Sequence, residues 1–342
     1  MTSRPPAIGS VLPLPDVAGQ AARPDSLWAS WVAGRPAATF HCARAALAAL
    51  LADRKPRRVW LPAYLCPALF EGSVGFDTAW YDVDEGLAID ARSLAAGVVA
   101  GDAVLAIDYF GRPPGRDFLD LVAARPEVLW IEDRAQALDT GPADWGEAVL
   151  FSPRKLVGVG DGGLVVSPWT LRATEGPPQA EASAAQRLRR DDPEGRAPER
   201  WYARFQAQEA AFDVTPRPMS LETRDVLERT PLAPAAQARR RNARFLVDAL
   251  SDLVLWPDDP VDYAPLAVPI RIAERDRVAA ALAEAGVFCA RHWPEIPSPA
   301  DFAPAHRLSR ELLSLPCDER YGEAEMARIV EALSRLQVRG AR

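Results

Sequence analysis

Lysine is nearly missing from this sequence. Lysine and arginine together number 40, yet the only lysines are Lys55 and Lys155. Histidine is scarce as well. His41, His292 and His306 lie far apart, so a metal centre built on paired carboxylates has no imidazole to complete it. Cys42, Cys66, Cys289 and Cys317 form no CxxC pair, which excludes a zinc ribbon or a disulfide scaffold and leaves reduced thiols in a cytosol as the expectation. No run of about 18 apolar residues occurs, so no membrane-spanning helix is expected. The opening MTSRPPAIGSVLPLPDVAG is broken by prolines and has no apolar stretch of signal-peptide length. A cytoplasmic protein is therefore expected. There is no Walker loop and no GxGxxG, so nucleotide-triphosphate and dinucleotide sites lack their usual loops. A net charge of −7 argues against nucleic acid as the main partner, because phosphate backbones need a basic face. A small phosphorylated ligand is not excluded.

A chain of 342 residues, 49% hydrophobic and 25% charged, can bury a substantial core and exceeds the usual size of one domain. Residues 1 to about 35 read as an irregular, proline-rich leader. Helix-forming Ala and Leu dominate 39–56, and Pro56 ends that run. Strand-like segments at 59–62, 78–84, 101–111, 127–133, 148–153 and 162–168 follow, with helical patterns between several of them. That alternation predicts an α/β fold with a mostly parallel central sheet and helices on both faces, with chemistry at the strand ends. Residues 172–200 are charged, rich in Pro and Ala, and poor in large apolar side chains, and read as a mobile insertion. A long helix is expected over 232–253. Strand character at 262–272 and helices at 276–287 and 323–336 then form a small C-terminal α+β domain. The expected division is a large domain over 1–245 and a small one over 246–342.

Three segments can carry chemistry. In FSPRKLVGVGDGGLVV (151–166), a buried strand runs into Ser152, Arg154 and Lys155, and then into glycines that let backbone approach a ligand. Lysine forms imines when its amine is deprotonated, and a neighbouring cation such as Arg154 favours that form. The plainer alternative is a surface lysine in a flexible turn. In IEDRAQAL (131–138), Asp133 falls where a parallel strand ends, and Gln136 follows it. A carboxylate there can hold a protonated pyridine nitrogen, or Glu132 and Asp133 can simply cap a helix. In FHCARAAL (40–47), small residues open a helix whose free backbone N–H groups suit a phosphate, to which Arg44 can add a fork of donors. The plainer alternative is a solvated arginine beside a buried cysteine.

The order of these segments resembles the fold-type I enzymes that use pyridoxal 5'-phosphate (PLP). Within them it is similar to the sugar aminotransferases of the DegT/DnrJ/StrS type. The matching stretches are LPAYLCPAL (61–69), AIDYFGRPP (106–114), IEDRAQAL (131–138), FSPRKLVGVGDGGLVV (151–166) and LLSLPCDERYGEAEM (312–326). The resemblance implies that Lys155 anchors PLP as an imine, Asp133 pairs with the pyridine nitrogen and Gln136 lies near the ring's phenolic oxygen. It also implies that Ser152 and the Ala43–Arg44 turn hold the phosphate and that Tyr64 lies near the cofactor face, with Leu65 or Cys66 as alternatives. Lys155 and Asp133 are then the catalytic pair. An amino acid, glutamate by expectation, donates its amino group to a keto-sugar carried on a nucleotide, in polysaccharide or natural-product biosynthesis. A homodimer is implied because such sites lie at subunit interfaces. Two differences stand out. Ser152 precedes Lys155 by three residues where the family commonly has five, and PRPMSLETRDVLERTP replaces the family's Asn-Tyr-Arg phrase. Another PLP enzyme on this scaffold, a sugar dehydratase or a lyase, and a non-catalytic binding relative are the alternatives.

Overall fold

The structure, a computed structural model, describes residues 5–139, 144–174 and 181–341. Its centre is a sheet of seven strands: β1 (Ala37–Phe40), β2 (Val59–Pro62), β3 (Thr78–Tyr81), β4 (Ala103–Ile107), β5 (Leu129–Asp133), β6 (Ala148–Phe151) and β7 (Gly163–Val166). Their order across the sheet is β1-β7-β6-β5-β4-β2-β3. β7 runs antiparallel to both its neighbours, β1 and β6. The pairs from β3 through β6 are parallel, as the alternating pattern predicts. Every residue of β4 (AVLAI), β6 (AVLF) and β7 (GLVV) is buried, the signature of a sheet covered on both faces. The strand order reverses between β2 and β4, and at such a reversal the carboxyl ends of the strands open a crevice.

The helix Ala43–Arg54 is shorter than the helical run expected over 39–56. Thr39 and Phe40 belong instead to β1, where Ala38 and Phe40 turn inward and the strand pairs with β7. β-branched and aromatic side chains favour that pleated surface. The helix ends at Lys55, in the left-handed conformation at φ 48°, whose N–H closes on the carbonyl of Leu51.

Two further readings are corrected. The leader is not merely irregular. Ile8–Gly9 adds a parallel strand to Val287–Phe288, and Leu27 and Trp31 are buried from the helix Leu27–Val32. Residues 181–200 do not form a loose insertion. They contain the helix Ala184–Arg190, which buries Ala185, Gln186 and Arg189. The leader holds it in place: Leu14 N–H donates to the Gln186 carbonyl at 3.0 Å and Ala7 N–H to that of Glu194 at 3.0 Å. Low hydrophobicity misled the reading because this segment is pinned by backbone bonds and by Trp201, not by aliphatic side chains of its own. Residues 175–180 of the expected insertion lie outside the described residues.

The helix Leu232–Ala249 links two apolar clusters. Ala236 packs on the side of the sheet that holds Leu156 and Val226. Ala243 and Leu246 pack with Ile270, Leu313 and Ile329. This second cluster surrounds the antiparallel pair Ala267–Arg271 and Leu312–Pro316, with the helices Arg275–Glu284 and Glu323–Arg335 against it. Among the described residues, no helix is long and apolar enough to cross a membrane.

Candidate active site

Strand β5 resolves the ambiguity of its two terminal carboxylates by alternation. Successive side chains point to opposite faces. Glu132 turns into a polar cluster, pairing with Arg134 and accepting N–H bonds from Trp145 and Gly146, both at 2.9 Å. Asp108 lies in the same cluster, where burial and the Glu132 charge push its carboxyl well up. Asp133 turns into a cleft at the carboxyl edge of the sheet. One oxygen accepts the Ala135 N–H at 2.8 Å. Burial raises the Asp133 carboxyl above its usual range, and the charge of Lys155 pulls it partly back down.

The cleft collects residues from the ends of several strands: Cys42, Ala43 and Arg44 after β1, Cys66 after β2, Ile107 from β4, and Ser152, Arg154 and Lys155 after β6. Asp133 and Gln136 complete the wall, with Trp293 arriving from the C-terminal region. The structure therefore brings six of the seven expected residues to one place. Tyr64 is the exception. It is fully buried, does not line the cleft, and packs against Trp293 and Tyr109 with ring centroids 5.2 and 5.9 Å apart. Cys66, two residues on, faces the cleft instead.

The individual environments refine the roles. Ser152 is 1% exposed, and its Oγ has no hydrogen-bond partner among the described residues. A buried hydroxyl in that state is an unused donor and acceptor. The helix Ala43–Arg54 starts beside it with no side-chain cap, so its first backbone N–H groups and its dipole present positive charge to the same cleft. The Arg44 side chain is already engaged by Glu71 and by the Phe212 carbonyl. Gln136 uses its Oε1 to accept the Phe110 N–H at 2.6 Å, which fixes a residue held at φ 56°. Arg154 is not a bare cation beside Lys155: it pairs with Glu209 and lies 4.9 Å from the centroid of the Phe212 ring.

The glycines after Lys155 serve the chain's own backbone. A Cβ at Gly158 would lie 1.7 Å from the Pro13 carbonyl oxygen, and one at Gly163 would lie 2.3 Å from the Cys42 carbonyl. The second approach sets the helix start against β7. The turn is also clamped from behind. Arg239, 1% exposed, donates to the Leu156 carbonyl at 2.9 Å and to Glu319 at 2.8 Å. Sequence inspection passed over Arg239 because it stands in the run RRR, where a solvated face is the ordinary reading. His292 was passed over as one of three scattered histidines. It packs edge-on to Phe110, its Nδ1 lies 2.7 Å from Ser314 Oγ, and desolvation followed by the Lys155 charge lowers its pKa to about 3.

This donor set suits a ligand with an anionic end, for Ser152 and the helix start, and a protonated nitrogen, for Asp133. The amine of Lys155 is available between them. The free space in the cleft is about 40 Å³, room for a water molecule. Among the described residues, no group of three or more His, Cys, Asp or Glu is placed to hold a metal ion.

No protein-family model and no curated relative matches the chain. Solved structures do. A DegT DnrJ EryC1 StrS aminotransferase from Brucella abortus superposes with a TM-score of 0.63 at 19% identity, over 90% of this chain and 88% of that one. DesI, solved in the presence of its TDP-sugar product, gives 0.65 at 20% identity over 97% and 92%. Spr1654 from Streptococcus pneumoniae in its PLP-form gives 0.67 at 15% identity over 96% and 98%. The chain has the fold of these aminotransferases along almost its whole length.

Proposed function

We propose that this chain is a PLP-dependent aminotransferase that moves an amino group from an amino acid, glutamate by preference, to a keto-sugar linked to a nucleotide. The observation that carries the reading is the meeting of Lys155, Asp133 and the unpaired Ser152 hydroxyl with a helix N-terminus around one cleft. That set fits PLP group by group. Ser152 Oγ and the backbone N–H groups of Ala43 and Arg44 would bind the phosphate, Asp133 would meet the pyridine nitrogen, and Lys155 Nζ would anchor the aldehyde carbon. When bound, PLP supplies an electron sink for the carbanion formed at the amino donor's α-carbon.

The chain's own part is proton traffic and positioning. Lys155 Nζ, once the donor amine had displaced it from the aldehyde carbon, would be free to take up the proton at the donor's α-carbon. Asp133, excluded from water, keeps a proton on the nitrogen it faces. Arg239 holds the Leu156 carbonyl, and with it the turn that aims Lys155. Gln136 holds the Phe110 turn at the cleft's edge. The DesI product is a TDP-sugar, which supports a nucleotide-linked acceptor here. The site is read as that of a cytoplasmic homodimer. Exposed Val214 and Leu221 flank the stretch whose Arg217 neighbours His41, and a second copy would cover them.

Half-transamination tests the reading. Protein loaded with PLP and mixed with glutamate alone should lose the visible absorbance of the aldehyde form and gain the shorter-wavelength band of the amine form, with stoichiometric release of 2-oxoglutarate. Ammonia release, or loss of water from a sugar without that change, would instead assign a lyase or a dehydratase. A chain that binds PLP and leaves every amino donor untouched would be a non-catalytic relative.

A further inference from the structure

A second cavity lies on the far side of the turn that carries Lys155, and it shares no lining residue with the cleft described above. It holds about 640 Å³, within the usual range for small-molecule sites. Leu12 and Leu14 of the leader, Leu138, and Leu156 and Val157 of the Lys155 turn give it apolar walls.

Two polar atoms in that wall have no hydrogen-bond partner among the described residues: Arg189 Nε and Thr230 Oγ1. Arg189 is 2% exposed. Its guanidinium donates to the Asp192 carbonyl and lies 5.4 Å from the Trp201 ring centroid, while the Asp192 and Asp318 carboxylates attract it through space without a direct ion pair among the described residues. Of the other charged groups in the wall, three are engaged, while Asp16 and Arg190 stand toward its rim. Arg320 is held by Asp318, Glu319 by Arg239, and Glu325 by the Gly322 N–H at 2.9 Å. A buried guanidinium without a direct ion pair is costly unless something anionic meets it. Burial and the Arg320 charge accordingly push the Arg189 pKa down.

We infer that this cavity is a binding site for a small amphiphilic anion, with its carboxylate or phosphate on Arg189 and its apolar body against Leu12, Leu14 and Val157. The leader and the helix Ala184–Arg190 close it together, which gives these two segments a role that the Lys155 cleft does not require. The site borders the Lys155 turn through Leu156 and Val157, so its occupant contacts the same loop from behind.

The test uses the full chain with PLP reduced onto it, so that the first cleft is closed to the probe. Octanoate and octanol, the same apolar body with and without the anion, are titrated by calorimetry. Octanoate should bind saturably at one site per chain, about tenfold or more tighter than octanol, the share a hydrogen bond to a charged group supplies. Arg189→Met should weaken octanoate by that factor and leave octanol unchanged. Leu12→Trp, which fills the cavity, should abolish both. Equal affinity for the two probes, no saturable binding, or octanoate binding that survives both substitutions would overturn the inference. Should Arg189→Met fail to fold, the comparison of the two probes on the unaltered chain decides alone.

Discussion

Asp133 shows how a single side chain is set between stability and chemistry. Its carboxyl is raised above the ordinary aspartate range by burial, so the sign of its contribution is fixed. A raised folded pKa adds stability below the unfolded value, near 3.9, and that contribution is lost as pH rises through the folded value. At neutral pH the charged group is therefore a liability in the cofactor-free protein. Asp133→Asn should raise the melting temperature of that protein at pH 7 and cut transamination by about a hundredfold or more, the scale of a lost charge-stabilising group. Thermal scans and glutamate half-reaction rates check the two halves. His292 works in the opposite sense. Its pKa is depressed to about 3, so it stabilises the fold above pH 6.5, and that contribution drains away as acid approaches 3. His292→Gln should flatten the fall in stability between pH 6 and 4, read from urea midpoints. Ser152→Ala should leave the fold intact, because its hydroxyl bonds nothing among the described residues, and weaken PLP by about tenfold. Equilibrium dialysis measures that loss.

The turn after β6 behaves as one element because chain segments from distant parts of the sequence press on it. Pro13 meets Gly158, Ala182 meets Gly160, and Cys42 meets Gly163 at separations that leave no room for a Cβ. Sequence pattern could mark these glycines as special, but not say what approached them. The reading that a ligand did so was reasonable from FSPRKLVGVGDGG alone, and only the packed chain shows backbone there instead. Arg239 illustrates the same limit. Its helix was legible from composition, while its burial behind Lys155 depends on contacts 83 residues apart. Arg239→Met should destabilise the protein by about 1–3 kcal/mol, the cost of leaving the buried carbonyls of Leu156 and Pro265 without their donor. Its kcat should fall more than its KM rises if the Lys155 turn loosens, and steady-state kinetics beside denaturation curves separate the two effects.

At the scale of the whole molecule, the sheet was the most legible part. Short apolar runs of strand length, spaced by helical patterns, led directly to a parallel core whose carboxyl edge gathers Lys155, Asp133 and Ser152. Residues 172–200 are polar without being loose, because the described part is held by Leu14 and Ala7 backbone bonds that composition does not encode. Tyr64 is a related case: an aromatic at the right place in a phrase packed into the core, and Cys66 took the cleft.

The central claim is that one amine, out of only two lysine side chains, is the cofactor anchor. The direct measurement is borohydride reduction of the PLP-loaded protein followed by peptide mass mapping. The account predicts one reduced pyridoxyl group per chain, on the peptide containing Lys155, and none in the Lys155→Ala protein. A pyridoxyl group found on Lys55, or an adduct that persists after Lys155 is removed, would contradict it.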